Sequence, residues 1–196
     1  MTTSYICDIS ITVAHFTVNK NAESSIKRRI WTVRLYNLFR RRKGNYMQRQ
    51  EFNHGWLFGF GHASLDNREY KPVTLPHDFS ISQSIEKGCI TRRDGGYFPG
   101  GHGIYIKSFT LDENTVEKDY YIEFEGVYMN AEVWLNDNLL GRHPYGYTSF
   151  YFKLNDYLRA GKNELKVICD NTSLPNSRWY SGSGIYRPVW LYFRQE

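Results

Sequence analysis

Residues 120–136, Tyr-Tyr-Ile-Glu-Phe-Glu-Gly-Val-Tyr-Met-Asn-Ala-Glu-Val-Trp-Leu-Asn, carry the pattern on which the fold reading rests. Tyr120, Ile122 and Phe124 alternate with Tyr121, Glu123 and Glu125, so one side is apolar and the other largely charged. Ala131, Val133 and Leu135 alternate in the same way with Glu132, Trp134 and Asn136. Successive side chains of an extended strand point to opposite faces, so a period of two marks a strand with one buried face.

Outward from this stretch the scheme repeats. Phe150, Phe152 and Leu154 alternate with Tyr151 and Lys153, and Val189, Leu191 and Phe193 follow suit. Asn136-Asp137-Asn138 tolerates left-handed backbone and predicts a tight turn, and Ala160-Gly161-Lys162-Asn163 precedes a strand over residues 164–169. No helix longer than two turns is expected after residue 51. Strands at about ten-residue spacing with Gly, Pro and Asn between them predict an all-β fold, a jelly-roll-like antiparallel β-sandwich. No repeat of fixed period is present, which argues against a propeller or solenoid.

The 196 residues are 41% hydrophobic and 17% aromatic, enough for a packed core and incompatible with a wholly disordered chain. No run of eighteen apolar residues exists, so no membrane-spanning helix is expected. The charge is uneven. Ten Lys/Arg against Asp8 and Glu23 give the first 49 residues +8, whereas fifteen basic against eighteen acidic residues give the remainder −3. The basic balance therefore belongs to the N-terminal quarter, and the body has no electrostatic footprint for nucleic acid.

Residues 23–43 have Ser24 or Ser25 as a cap and Ile26, Ile30, Val33 and Leu38 at helical spacing. The expected division is a basic extension over residues 1–46, helical or disordered, and a β-sandwich domain over 47–196. A basic amphipathic segment binds anionic membranes or nucleic acid, or is simply a solvated extension. Residues 1–22 lack a positive start before their apolar stretch, which makes a poor secretory signal and favours the cytoplasm. Cys7, Cys89 and Cys169 are widely spaced and indicate neither a disulfide framework nor a zinc site.

Four ordered segments carry a family resemblance. They are Phe52-Asn53-His54-Gly55-Trp56-Leu57-Phe58, the Leu75-Pro76-His77-Asp78 turn, the glycine-rich residues 95–105, and a long stretch from Phe124 to Val189. The last contains Leu140-Gly141-Arg142-His143-Pro144-Tyr145-Gly146-Tyr147 and Asn176-Ser177-Arg178-Trp179-Tyr180-Ser181-Gly182-Ser183-Gly184-Ile185-Tyr186. Over about residues 50–196 the chain resembles the N-terminal sugar-binding domain of glycoside hydrolase family 2, the β-galactosidase and β-glucuronidase family.

The resemblance implies a galactose-binding-domain-like sandwich that helps to bind a β-galactoside or β-glucuronide during hydrolysis of O-glycosyl bonds. In that family an immunoglobulin-like domain and a catalytic (β/α)8 barrel follow, with the barrel carrying the glutamates. Here the Asn-Glu-Pro acid/base motif is absent, since Asn163-Glu164 is followed by Leu165. The expectation is a domain truncated before its barrel, inactive alone, with a barrel partner or missing C-terminal domains. The alternative is a free-standing carbohydrate-binding module. Glu123 and Glu125 share a face, but two residues along one strand places them about 6.5–7 Å apart at the backbone. A retaining glycosidase needs carboxylates about 5–5.5 Å apart, so a plain solvated face is expected.

Saccharide binding uses flat apolar surface for the C–H faces of the ring and directed polar groups for its hydroxyls. Tyr and Trp supply the first, and Asn, Asp and Arg the second. Asn176, Arg178, Trp179 and Tyr180 place these types together, and the resemblance puts their loop toward the terminal sugar. The other reading of Arg178 and Trp179, and the favoured one for Trp179, is that they only pack the interface with the family's barrel. Asp78 is a further candidate, either as a ligand contact or as the cap of its turn. His102, in a flexible Gly-Gly-His-Gly loop, is a last sugar candidate or a surface residue. No cofactor is expected. The six histidines lack metal-ligand spacing, no Gly-x-Ser-x-Gly elbow occurs, and Asn171-Thr172-Ser173 satisfies the glycosylation sequon.

Overall fold

The alternating segments fold as strands, and the turn residues between them return the chain antiparallel at every pairing. The computed structural model describes residues 47–62, 69–113 and 118–194. The strands are β1 Met47–Glu51, β2 Trp56–Phe60, β3 Lys71–Val73, β4 Gly101–Leu111, β5 Tyr120–Phe124, β6 Ala131–Leu135, β7 Asn138–His143, β8 Phe150–Lys153, β9 Gly161–Asn171 and β10 Val189–Arg194. The described helical structure is confined to 3-10 conformation, at Asn155–Tyr157 and at Glu113. The extension over residues 1–46, with its expected basic helix, lies outside the described residues. No described helix is long and apolar enough to cross a membrane.

Two sheets form. One has the order β1-β10-β5-β8, and the other β3-β2-β4-β9-β6-β7. The eleven-residue ladder of β4 and β9, from Gly101↔Asn171 to Leu111↔Gly161, is the spine of the larger sheet. Tyr105, Val133, Leu165 and Val167 from this sheet meet Ile122, Phe124, Val189 and Leu191 from the other in one buried cluster. Each such side chain contributes roughly 1.5–3 kcal/mol when fully buried. Trp56 is fully buried and its indole Nε1 donates to Phe52 O at 2.7 Å, so its one polar atom is satisfied.

Local chemistry fixes the hairpin of β6 and β7. Asn136 and Asp137 take φ of 48° and 66°, the two left-handed positions of a type I′ turn. The Asn136 amide donates to Tyr157 O and Asn163 Oδ1 at 2.8 Å each, and its oxygen accepts from the Glu164 amide at 2.9 Å. β9 is longer than the strand expected from the sequence, because the ladder with β4 continues through Gly161 at one end and Asn171 at the other.

The outer face of the smaller sheet departs from the simple solvated surface expected of Glu123 and Glu125. Tyr192 Oη donates to Glu123 Oε2 at 2.7 Å, and Trp190 Nε1 and Arg49 Nη2 both donate to Glu125 Oε1 at 2.8 and 2.9 Å. The Arg49 guanidinium also stacks over the Trp190 ring, 3.5 Å from its centroid. Both carboxylates are committed to holding β1 and the outer side chains of β10.

Candidate functional site

One end of the larger sheet gathers three connections. β4 begins and β9 ends there, because Gly101 pairs with Asn171, and Ala131 of β6 pairs with His143 of β7 beside them. The segment after β3 (residues 74–100), the turn between β7 and β8 (144–149) and the segment after β9 (172–188) therefore lie together.

Asp78 joins two of these segments. Its Oδ1 accepts the backbone amides of Ser80 and Ser183, both at 2.9 Å, and its Oδ2 accepts the Tyr180 hydroxyl at 2.6 Å. The Ser80 contact closes the expected capped turn. The other two reach more than a hundred residues along the chain to hold the loop that carries Arg178, Trp179 and Tyr180. Backbone bonds reinforce the joint, from His77 N to Ile185 O and from Phe79 N to Ser183 O. With three donors satisfied, the Asp78 carboxylate acts as a latch.

Asn176 is likewise engaged. Its amide donates to Asn171 Oδ1 at 2.6 Å, and its oxygen accepts the Tyr128 hydroxyl at 3.1 Å. Asn171 is 2% exposed and donates to Ser183 Oγ at 2.7 Å and to Gly182 O at 3.2 Å. The sequon asparagine is thus a buried structural residue whose nitrogen is not presented for glycosylation.

Trp179 stands out with 58% of its surface exposed, and its orientation is fixed because Nε1 donates to Tyr147 Oη at 2.8 Å. Tyr147 also packs edge-on against Tyr128 and Tyr145, with centroids 5.2 and 5.7 Å away. Tyr145 is 57% exposed. The close seat of this turn explains Gly146, where a Cβ would run into the Tyr128 ring. Tyr180 rests edge-on against Phe98 at 5.1 Å. Residues of the glycine-rich loop and of the 172–182 loop line a shared depression that includes Phe98, Asn176, Trp179 and Tyr180. Arg178 is exposed and its guanidinium makes no hydrogen bond or ion pair with a described residue.

Asn176, Arg178, Trp179, Tyr180 and Asp78 are therefore brought together. His102 is placed otherwise, at the start of β4 with Nδ1 3.7 Å from Asp170 Oδ1 and its ring 4.7 Å from that of His62. Asp170 in turn accepts Thr172 N and Oγ1 at 3.0 and 2.6 Å. Burial pushes the Asp170 carboxyl up, but the Thr172 bonds and the nearby histidines outweigh it and hold the pKa below its ordinary value. This pair anchors the start of the loop. Among the described residues no group of three His, Cys, Asp or Glu is arranged to hold a metal ion.

Sequence reading missed Tyr145, Tyr147, Tyr128 and Asn171. Tyr145-Gly146-Tyr147 carries part of the family resemblance, but nothing local ties Tyr147 to Trp179, 32 residues away.

The latch has a pH signature. Burial, then the hydrogen bond to Asp78 and its charge, raise the Tyr180 pKa, and burial raises that of Tyr105. Unfolded tyrosines ionise near about pH 10. Below that value both states are protonated and the contribution to stability is intact. Above it the unfolded chain loses protons first, so stability falls as pH rises toward the folded values. The urea midpoint is expected to fall between about pH 10 and 11, less steeply in Tyr180→Phe than in the wild type. Identical slopes for the two proteins exclude the latch as a source.

Residues 96–195 match the sugar binding domain of the glycosyl hydrolases family 2. The chain is 42% identical over 151 residues to the β-galactosidase BoGH2A of Bacteroides ovatus, covering 74% of this chain and 18% of that protein. It is 29% identical over 160 residues to a β-glucuronidase of Bacteroides fragilis, covering 77% of this chain and 22% of the relative. A solved family 2 member from Bacteroides cellulosilyticus superposes with a TM-score of 0.69 at 36% identity, covering 74% of this chain and 20% of that structure. The chain thus spans about a fifth of the length of these relatives. With its sandwich and its loop motifs accounted for, the chain belongs to glycoside hydrolase family 2, as that family's sugar-binding domain.

Proposed function

We propose that this domain grips a saccharide, a β-galactoside or β-glucuronide, with the face formed by Arg178, Trp179 and Tyr145, while glycosidic bond cleavage is carried out by a catalytic barrel it accompanies. The observation that carries this reading is the exposed, oriented Trp179 indole. An exposed aromatic held in one rotamer offers a flat apolar face to the C–H side of a pyranose without losing entropy on binding. Arg178 adds donors with no competing partner among the described residues. Asn176, Tyr180 and Asp78 support that face by holding the loop, and His102 supports its first residues through Asp170.

The carboxylates singled out above support this division of labour. Asp78, Glu123 and Glu125 are each occupied by internal donors, and none is a free member of an acid/base pair. Intrinsic Trp fluorescence of the 196-residue chain, titrated with methyl β-galactoside and methyl β-glucuronide, is expected to change saturably. Trp179→Ala is expected to weaken binding at least about fivefold, roughly 1 kcal/mol. Absence of saturable binding to either sugar removes the reading, and turnover of a nitrophenyl glycoside by the chain unaided removes the division of labour. The openness of the Tyr145–Tyr147–Trp179 face also favours the second reading, a free-standing carbohydrate-binding module, for which the same titration gives micromolar affinity.

A further inference from the structure

The 172–182 loop has a second flank. There an open cleft of about 590 Å³ lies between residues 90–92 and Asp94 on one wall and residues 175–178 on the other. Its volume falls within the range of small-molecule sites. Ile90, 57% exposed, and Pro175 give it apolar surface.

Most described arginines outside this cleft are engaged, Arg93 excepted. Arg49 and Arg142 pair with glutamates, Arg194 with Asp119, Arg159 bonds Asn136, and Arg187 lies over Tyr186. Arg92 and Arg178, on opposite walls, make no hydrogen bond, ion pair or ring contact through their guanidinium groups with any described residue. Arg92 is held at φ 47°, a backbone region uncommon for a non-glycine residue, by the bond from Tyr97 N to its carbonyl at 2.8 Å. Asp94 is the acidic residue of the lining and forms no ion pair with either arginine, so two positive groups face one negative. A planar guanidinium matches the two oxygens of a carboxylate or sulfate.

We propose that this cleft is a subsite for the anionic group of an acidic saccharide, a uronate carboxylate or a sugar sulfate, with Arg92 and Arg178 as its ligands. The inference rests on the reading that the adjoining loop binds sugar, and Arg178 is the residue shared by the two surfaces. It makes Arg92 a residue that selects acidic over neutral sugars.

The test titrates the full chain at 50 and 300 mM NaCl with methyl β-galactoside, methyl β-glucuronide and methyl β-galactoside 6-sulfate. The acidic probes are expected to bind three- to tenfold more tightly than the neutral one at low salt, with the advantage shrinking at high salt. The better of the two acidic probes identifies the anion. Arg92→Gln is expected to remove that advantage and leave neutral-sugar affinity and the melting temperature unchanged, while Arg178→Gln weakens both kinds of sugar. Equal affinity for all three probes overturns the subsite but leaves the sugar reading standing. Silence from every probe overturns both. Binding of an acidic peptide such as oligoglutamate, with no preference for acidic sugars, overturns the subsite in favour of a protein partner.

Discussion

Asp78→Ala is expected to destabilise the domain by about 3–4 kcal/mol, because it strips two buried amides at once of the one acceptor they have among the described residues. Ser80 is 3% exposed and Ser183 is fully buried, so neither N–H has water to turn to when Oδ1 is removed. A buried donor left unsatisfied costs about 1–3 kcal/mol. Losing the Tyr180 bond to Oδ2 adds less, since that hydroxyl is partly exposed and can be hydrated. Asp78→Asn separates the contributions. Its carbonyl oxygen still accepts both amides, while its NH2 forces the Tyr180 hydroxyl to become an acceptor, so a loss of about 1 kcal/mol is expected. Urea denaturation at pH 7 measures both variants. Sugar titration is expected to follow the same order, with Asp78→Ala weakened most although its side chain touches no sugar in the proposed arrangement. An alanine variant within 1 kcal/mol of the wild type would mean that Asp78 does not organise the loop.

The contrast between Asp78 and the strands explains what the sequence yields and what it withholds. β5, β6, β8 and β10 were readable because each has one face in the core and one outside, which writes a period of two into the chain. The β6–β7 turn was readable because left-handed backbone narrows the choice of residue to Asn, Asp and Gly. β1 was not, since Met-Gln-Arg-Gln-Glu is an edge strand exposed along most of its length and no burial imposes alternation. β3 was missed for its length, three residues with a proline at its centre. The site divides in the same way. The grouping of Asn176, Arg178, Trp179 and Tyr180 is local in sequence and was readable as chemistry. That Asn176 and Tyr180 are spent on internal partners depends on Tyr128, Asn171 and Asp78, and a pairing at 102 residues' separation leaves no periodic trace. For His102 the glycine neighbours leave a sugar contact and a surface position both open, and its place opposite Asp170 is set by the β4–β9 ladder, which no local pattern reveals.

The same joint is most sensitive at Gly184. Gly184→Ala is expected to cost about 3–5 kcal/mol, from overpacking of about 1–3 kcal/mol and backbone strain of similar size. Gly184 has φ 106°, a conformation that side-chain-bearing residues rarely adopt. It also exchanges both backbone hydrogen bonds with Tyr128, at 2.7 and 2.9 Å, so the chain there cannot rotate away without breaking them. A Cβ at this position would run into the Tyr105 hydroxyl and crowd His77 O and Phe79 Cδ1 at 3.1 Å each. Tyr105 is fully buried and its hydroxyl lies 2.8 Å from His77 Nδ1, so it has no room to retreat. The double variant Gly184→Ala/Tyr105→Phe tests this reading. Removing the hydroxyl opens the space the new methyl needs, so the pair is expected to lose less than the sum of the single losses, with a coupling of about 1 kcal/mol or more. The strain at φ 106° remains, and the double variant stays below Tyr105→Phe alone. Strictly additive losses would assign the whole penalty to the backbone and none to Tyr105. Because Gly184 leads directly from the Asp78 latch into Tyr186 and β10, the variant is also expected to lose sugar binding while it is still folded, at urea concentrations below its unfolding midpoint.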